Sequence, residues 1–234
     1  MGSETLQIMD ITSLKAVLAE LRHLILPSRF EKAQQPEPGT LQIGLRTLQG
    51  LKWLELSWNA EAPRLVQISP PQRQGHDSTL AQQVLHGLRQ MALVEIKQKS
   101  FERVVEFCFS PRPGEAIKKI LVLELMGRHS NILLLDSQNK IITLGRQVRE
   151  KQSRVRPIGT GDIYVFPPAL QGIEPSQDES YTRWKERLCL IPTNLKNALK
   201  DTYQGISPSL AMQLADDMKD SAKKLLELPV LEIK

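Results

Sequence analysis

Between Phe101 and Gly145 the chain sets four short apolar runs in series, with a polar turn between each and the next. The runs read FERVVEFCFS, KKILVLELM, NILLLD and KIITLG, and the turns between them read PRPGEA, GRHS and SQN. Short apolar runs bounded by Gly, Pro, Asn and Ser have the pattern of strands. Turns this brief leave no room for a crossover helix, so each strand must return beside the one before it. The sequence therefore predicts an antiparallel meander.

The region before it reads in the same way. Asp10 or Thr12 is placed to cap a first helix, with Leu14, Val17, Leu18, Leu21 and Leu24 at helical spacing and Pro27 ending it. Extended pieces follow: RFEKAQQ, TLQIGLRTL, LKWLELSWN and PRLVQIS. In TLQIGLRTL, Leu41, Ile43 and Leu45 alternate with polar neighbours, the pattern of a half-buried strand. The breaker-rich ISPPQRQGHDS reads as a loop. Asp77 or Ser78 then caps a second helix, with Leu80, Val84, Leu85, Leu88 and Met91 on one face.

The tail has a different texture. TRWKERLCLIP, TNLKNALKDTY, SPSLAMQLADDMKD and SAKKLLEL all read as helices, with Ser207 in a cap position and Pro208 in the first turn. A boundary is expected near residue 175, after the Pro-rich FPPALQGIEP. The predicted class is α+β: a β domain over residues 1–175 and a small all-α domain over 176–234. The sequence stops on an apolar stretch, LPVLEIK, and is read as the front part of a longer protein.

Composition limits the function classes. No apolar run reaches the roughly 18 to 20 residues of a membrane helix, and the opening MGSETLQIMD has no basic-then-apolar leader pattern. A cytoplasmic protein without membrane contact is expected. Cys108 and Cys189 stand in unrelated contexts and the four histidines are scattered, so neither a structural metal nor a cofactor is expected. A net charge of +5 favours a polyanion as partner.

Four segments carry candidate chemistry. The connector RQVREKQSRVRP clusters Arg146, Arg149, Lys151, Arg154 and Arg156 around one acid, Glu150. Guanidinium forks suit phosphate, and a solvated loop is the competing reading. Gly205-Ile206-Ser207-Pro208 resembles the turn of a helix-hairpin-helix, where backbone amides at a helix start meet an anion; Ser207 stands in place of the second glycine. A plain capped helix start would look the same. The loop GRHSN sets Arg128, His129, Ser130 and Asn131 at a tip whose turn Gly127 permits, and a polar hairpin cap is its simpler explanation. Glu102-Arg103, at the start of a strand, also reads as an ordinary surface ion pair. No nucleophile or base is placed to complete a catalytic set, so no enzymatic activity is expected.

Taken together, the segments resemble one family. ELMGRHSNILLLD resembles the signature of the NFACT-N domain, which opens the bacterial RqcH proteins (also called fibronectin-binding protein A) and the eukaryotic NEMF proteins. MDITSLKAVLAEL is similar to that family's first helix, and KSFERVVEFCF to its Asp-Arg pair followed by an alternating strand. SRVRPIGTGDIYVFPPA is similar to its Arg-Pro-x-x-x-Gly-x-x-Tyr-x-x-Pro-Pro segment, and the GISP helices to the helix-hairpin-helix module that follows. Here Glu102 replaces the family's aspartate, one methylene longer.

The resemblance implies an antiparallel β-sandwich-like first domain, akin to the amino-terminal domain of formamidopyrimidine DNA glycosylases. No proline precedes Pro27, so the amino-terminal proline nucleophile of those glycosylases is missing. It further implies binding to obstructed large ribosomal subunits carrying peptidyl-tRNA. Alanyl-tRNA would be recruited there, so that a carboxy-terminal tail is added to the stalled chain, with no small-molecule substrate. Glu102, Arg103, Arg128, His129, Ser130, Asn131, Arg149, Lys151, Arg154, Arg156, Gly205 and Ser207 are then the expected tRNA- or rRNA-binding residues. Structured RNA is read by phosphates, shape and 2′-hydroxyls, which agrees with an aromatic content of only 5%. Two other readings stay open: a fibronectin-binding adhesin, and a DNA-binding or repair protein.

Overall fold

The computed structural model describes residues 9–72, 78–149, 151, 156–190 and 192–226. The chain divides into two compact units, residues 1–168 and 169–234. The division falls after Pro168, ahead of the expected boundary at 175. The intervening residues belong with the helices, because Ile173 exchanges backbone hydrogen bonds of 2.8 and 2.9 Å with Thr202 and Gln204.

The first unit opens with α1 (Ile11–Ile25), whose Asp10 carboxylate accepts from the Ser13 amide. Strands β1 (Ser28–Glu37), β2 (Thr40–Thr47), β3 (Gly50–Ser57) and β4 (Arg64–Ile68) follow, each antiparallel to the last. The second helix, α2 (Thr79–Gly87), is capped by Ser78, which accepts from the Ala81 amide; the rival cap Asp77 lies outside the described residues. Leu85, expected on its buried face, is 40% exposed instead. Then come β5 (Ala92–Gln98), β6 (Val104–Ser110), β7 (Lys119–Glu124), β8 (Asn131–Asp136) and β9 (Ile141–Leu144).

Among the described residues, nine strands form one hydrogen-bonded sheet in the order β4-β3-β2-β1-β5-β6-β7-β8-β9, antiparallel at every step. It is one continuous sheet and not two separately bonded ones. Strand β5 joins its halves and was not expected. A register shift between Leu93 and Glu95 sets the two buried side chains, Leu93 and Ile96, three residues apart, which hides the alternation of a strand.

Both halves of the sheet and both helices feed one core, in which Phe30 of β1 meets Phe109 of β6 edge-on at 6.1 Å. A smaller core of Val104, Val122, Leu133, Leu135, Ile141, Ile158 and Tyr164 includes the residues that alternate with those of the main core along β6, β7 and β8. Those strands are thus buried on both faces, which explains why ILVLELM and NILLLD are near-continuous apolar runs. Strand β2 likewise buries Gln42 beside Leu41 and Ile43; its amide donates 2.9 Å to Glu55.

The second unit holds α3 (Tyr181–Leu188), α4 (Leu195–Thr202) and α5 (Pro208–Leu226), the last continuous across the two helices expected there. Leu188, Ala198, Leu199 and Tyr203 form its core. Among the described residues, no helix is long and apolar enough to cross a membrane and no cluster of potential metal ligands occurs.

Candidate nucleic-acid interface

Antiparallel alternation gathers the expected residues of the first unit. The start of β6, the end of β7, the start of β8 and the end of β9 lie at the same end of the sheet. Arg103, just before β6, accepts the Leu125 amide on its carbonyl at 2.9 Å, which sets it beside the β7–β8 loop. Asn131, at the start of β8, ties that loop to the basic connector. Its side-chain amide donates to the Arg146 carbonyl at 2.8 Å, and its oxygen accepts from the Arg146 amide at 2.9 Å. Arg103, the loop and the root of the connector therefore meet.

The loop is a 3-10 turn over Gly127–His129, entered through Gly127 at φ +56°, where a side chain would be strained. Its polar residues divide into two kinds. Arg128 and His129 are exposed, and the Arg128 Nε donates to His129 Nε2 at 3.1 Å. Ser130 and Asn131 were expected at the tip but are 1% exposed. Ser130 Oγ accepts the Met126 amide at 2.8 Å, and Asn131 Oδ1 also accepts the Ile132 amide at 3.0 Å. Buried polar groups take up such partners because leaving them unpaired costs free energy. Both residues hold the loop's shape and offer no surface to RNA.

Arg156 is a second correction. Instead of standing free for phosphate, its guanidinium donates to both oxygens of Glu124, at 3.0 and 2.6 Å, and to the Val165 carbonyl. Glu124 is fully buried, and its Oε1 also accepts from the Tyr164 hydroxyl at 2.9 Å. Burial and the adjoining carboxylate raise the Tyr164 phenol above its ordinary value, so it stays a donor. This cluster anchors the far side of the connector, whose Val148 and Ile158 pair across its base. Arg149 and Lys151 are exposed on it, and Arg154 lies outside the described residues. The sequence signal for Glu124 was a lone carboxylate inside the apolar run ILVLELM.

Arg103 behaves differently from Arg156. It is half-buried, yet its side chain makes no hydrogen bond or ion pair among the described residues. Burial lowers its pKa, and the charges of Asp10 and Glu102 oppose that shift. A desolvated guanidinium with no bonded carboxylate is an open position for an external anion. Lys15 of α1, whose ammonium lies 3.8 Å from the centroid of the Phe101 ring, adds a cation that the sequence reading did not single out. In residues 1–168 Lys and Arg outnumber Asp and Glu, whereas in residues 169–234 the acids slightly outnumber the bases, so the first unit carries the basic excess.

In the second unit, Gly205 adopts φ +74° between α4 and α5, and Ser207 Oγ accepts the Leu210 amide at 3.0 Å. Ser207 thus caps α5. Its hydroxyl is engaged, and any anion contact there falls to backbone amides.

Residues 10–234 match the family model described as NFACT N-terminal and middle domains. The chain is 28% identical over 207 residues to a Streptococcus suis protein named Rqc2 homolog RqcH, covering 86% of this chain and 37% of that protein. The chain thus spans little more than a third of that relative's length. Two solved structures share the fold. The N-terminal domain of fibronectin-binding protein PavA from Streptococcus pneumoniae superposes with a TM-score of 0.80 at 23% identity, over 93% of this chain and 82% of that one. The N-terminal part of the fibronectin/fibrinogen-binding protein of Streptococcus suis gives 0.77 at 26% identity, over 89% and 79%.

Proposed function

The chain belongs to the NFACT N-terminal and middle domain family, and from that premise we propose that it is an RNA-positioning module of a ribosome quality control factor. It binds obstructed large ribosomal subunits through peptidyl-tRNA and rRNA, and it helps to place alanyl-tRNA for tailing of the stalled chain. The module does no covalent chemistry: it holds RNA while the ribosome's own RNA transfers the peptide. The name of the Streptococcus suis relative supports the setting.

The observation that carries the reading is Arg103, a half-buried guanidinium without a bonded carboxylate among the described residues, beside the exposed Arg128 and His129. Phosphate satisfies such a group, and the 2′-hydroxyls and phosphates of structured RNA are the ligands a basic, aromatic-poor surface suits. Exposed Arg149 and Lys151, on the connector rooted at Arg146, would supply further phosphate contacts. We read α4, the 203–207 turn and α5 as a helix-hairpin-helix that adds backbone amides for a second phosphate contact. The test is tRNA binding by the Arg103→Ala and Arg128→Ala variants. Weakened binding in both supports the proposal, and unchanged binding in both contradicts it.

A second reading follows from the structural neighbours, named for fibronectin binding. Immobilised fibronectin decides it: saturable binding of this chain, insensitive to added tRNA, would favour an adhesin.

A further inference from the structure

Strand β6 runs from the Arg103 end of the sheet to Ser110, and at that second end lies a cavity of about 540 Å³. It is bounded by the end of α1, the start of β1, the β2–β3 turn and the β6–β7 turn. Its volume falls within the roughly 300 to 1,000 Å³ of small-ligand sites. Leu24, Leu26, Pro27 and Pro111 give it an apolar wall, and Leu48, fully exposed at the β2–β3 turn, forms a lip.

Three guanidiniums border this wall. Arg29, Arg46 and Arg112 line it together with His23, and no carboxylate does. Arg29 and Arg46 both bond Glu31, at 2.7 and 2.9 Å, so one carboxylate answers two guanidiniums and a positive charge remains. Arg112 is exposed on the turn. Ser28 also lines the cavity and is 5% exposed, and its hydroxyl has no hydrogen-bond partner among the described residues. Native structures seldom leave a buried hydroxyl unpaired, and this one lies just behind the cavity wall.

We propose that this cavity is a nucleotide-binding site. The apolar wall covers the faces of the base, and the guanidiniums take the phosphate. A bare phosphate would leave the leucines and prolines without a role, and an uncharged apolar ligand would leave the surplus positive charge of Arg29, Arg46 and Arg112 unanswered. The same chemistry is offered by a free mononucleotide and by an unpaired nucleotide of an RNA strand. The site lies at the opposite end of β6 from Arg103 and does not rest on the tRNA reading.

The test is calorimetric titration of the 234-residue chain at low salt with AMP, adenosine, inorganic phosphate and the octanucleotide rA8. The variants are Arg112→Glu and Leu48→Asp, both at exposed turn positions where the fold is not at stake. AMP is expected to bind more tightly than adenosine or phosphate. Arg112→Glu should weaken it by about 10- to 100-fold, the loss of a hydrogen bond to a charged group; Leu48→Asp should weaken it as well. If rA8 binds more than about tenfold tighter than AMP with the same sensitivity to both variants, the ligand is a nucleotide within RNA. Equal affinities assign the site to the free nucleotide. Absence of binding by both AMP and rA8 overturns the proposal. So does phosphate binding as tight as AMP binding, or an affinity that either variant leaves unchanged.

Discussion

Glu124 and Arg156 stand 32 residues apart in sequence and are joined by two hydrogen bonds, of 3.0 and 2.6 Å, to a carboxylate with no solvent exposure. Breaking a buried pair strands the remaining charge, so Glu124→Ala and Arg156→Ala should each cost about 3–5 kcal/mol in urea denaturation. The double variant should lose less than the sum of the two, because the second substitution removes the charge that the first left stranded. Tyr164→Phe removes one hydrogen bond to the same carboxylate and should cost about 1.5–3 kcal/mol. An additive double variant would show that the two side chains do not act as a unit.

Asn131 and Arg128 sit three residues apart in one loop and should separate stability from binding. Asn131→Ala leaves the Arg146 and Ile132 backbone groups without their side-chain partner and should cost about 1–3 kcal/mol. Arg128→Ala, at an exposed position, should change stability by no more than about 0.5 kcal/mol and should weaken RNA binding. Paired thermal melts and tRNA binding curves on the two variants make the comparison.

Glu31 supplies a pH dependence. Hydrogen bonds from Arg46 first, and then from Arg29, pull its carboxyl from an ordinary 4.5 down to about 2. A folded-state pKa below the unfolded one stabilises the fold at higher pH. That contribution is complete above about pH 4.5 and is lost as pH falls towards about 2. Its partners are solvent-exposed, so the effect is small. Glu31→Gln should be less stable than the parent by up to about 1 kcal/mol at pH 7. The gap should shrink with added salt and close by pH 2 in a series of urea melts.

The two cysteines give a check on packing. Cys108 is buried within β6, and desolvation raises its thiol to about 11, whereas Cys189 is exposed after α3. One thiol should react promptly with a disulfide reagent in the native protein, and two in urea. Two prompt thiols in native buffer would contradict the burial of β6.

The meander was legible because its runs and turns carry their pattern locally. Strand β5 was not, since the shift beside Leu93 breaks the alternation that identifies a strand. Exposure was legible at Arg128 and His129, where a polar residue stands at the edge of an apolar run. It was misread at Ser130, Asn131 and Arg156. A serine, an asparagine or an arginine in a polar stretch reads as exposed until a long-range partner is known, and those partners are Met126, Arg146 and Glu124. The carboxylate inside ILVLELM was the one visible sign that a buried cation had to come from elsewhere in the chain.

The central claim is that the Arg103 end of the sheet holds RNA on obstructed large subunits. The most direct measurement is sedimentation of this chain with purified large ribosomal subunits, with and without peptidyl-tRNA, across a salt series, in the parent and in Arg103→Ala. The account predicts co-sedimentation that requires peptidyl-tRNA, declines with rising salt as phosphate contacts do, and is lost or strongly weakened in Arg103→Ala while the variant's melting temperature holds. Binding by Arg103→Ala equal to the parent's, or binding indifferent to peptidyl-tRNA, would contradict it.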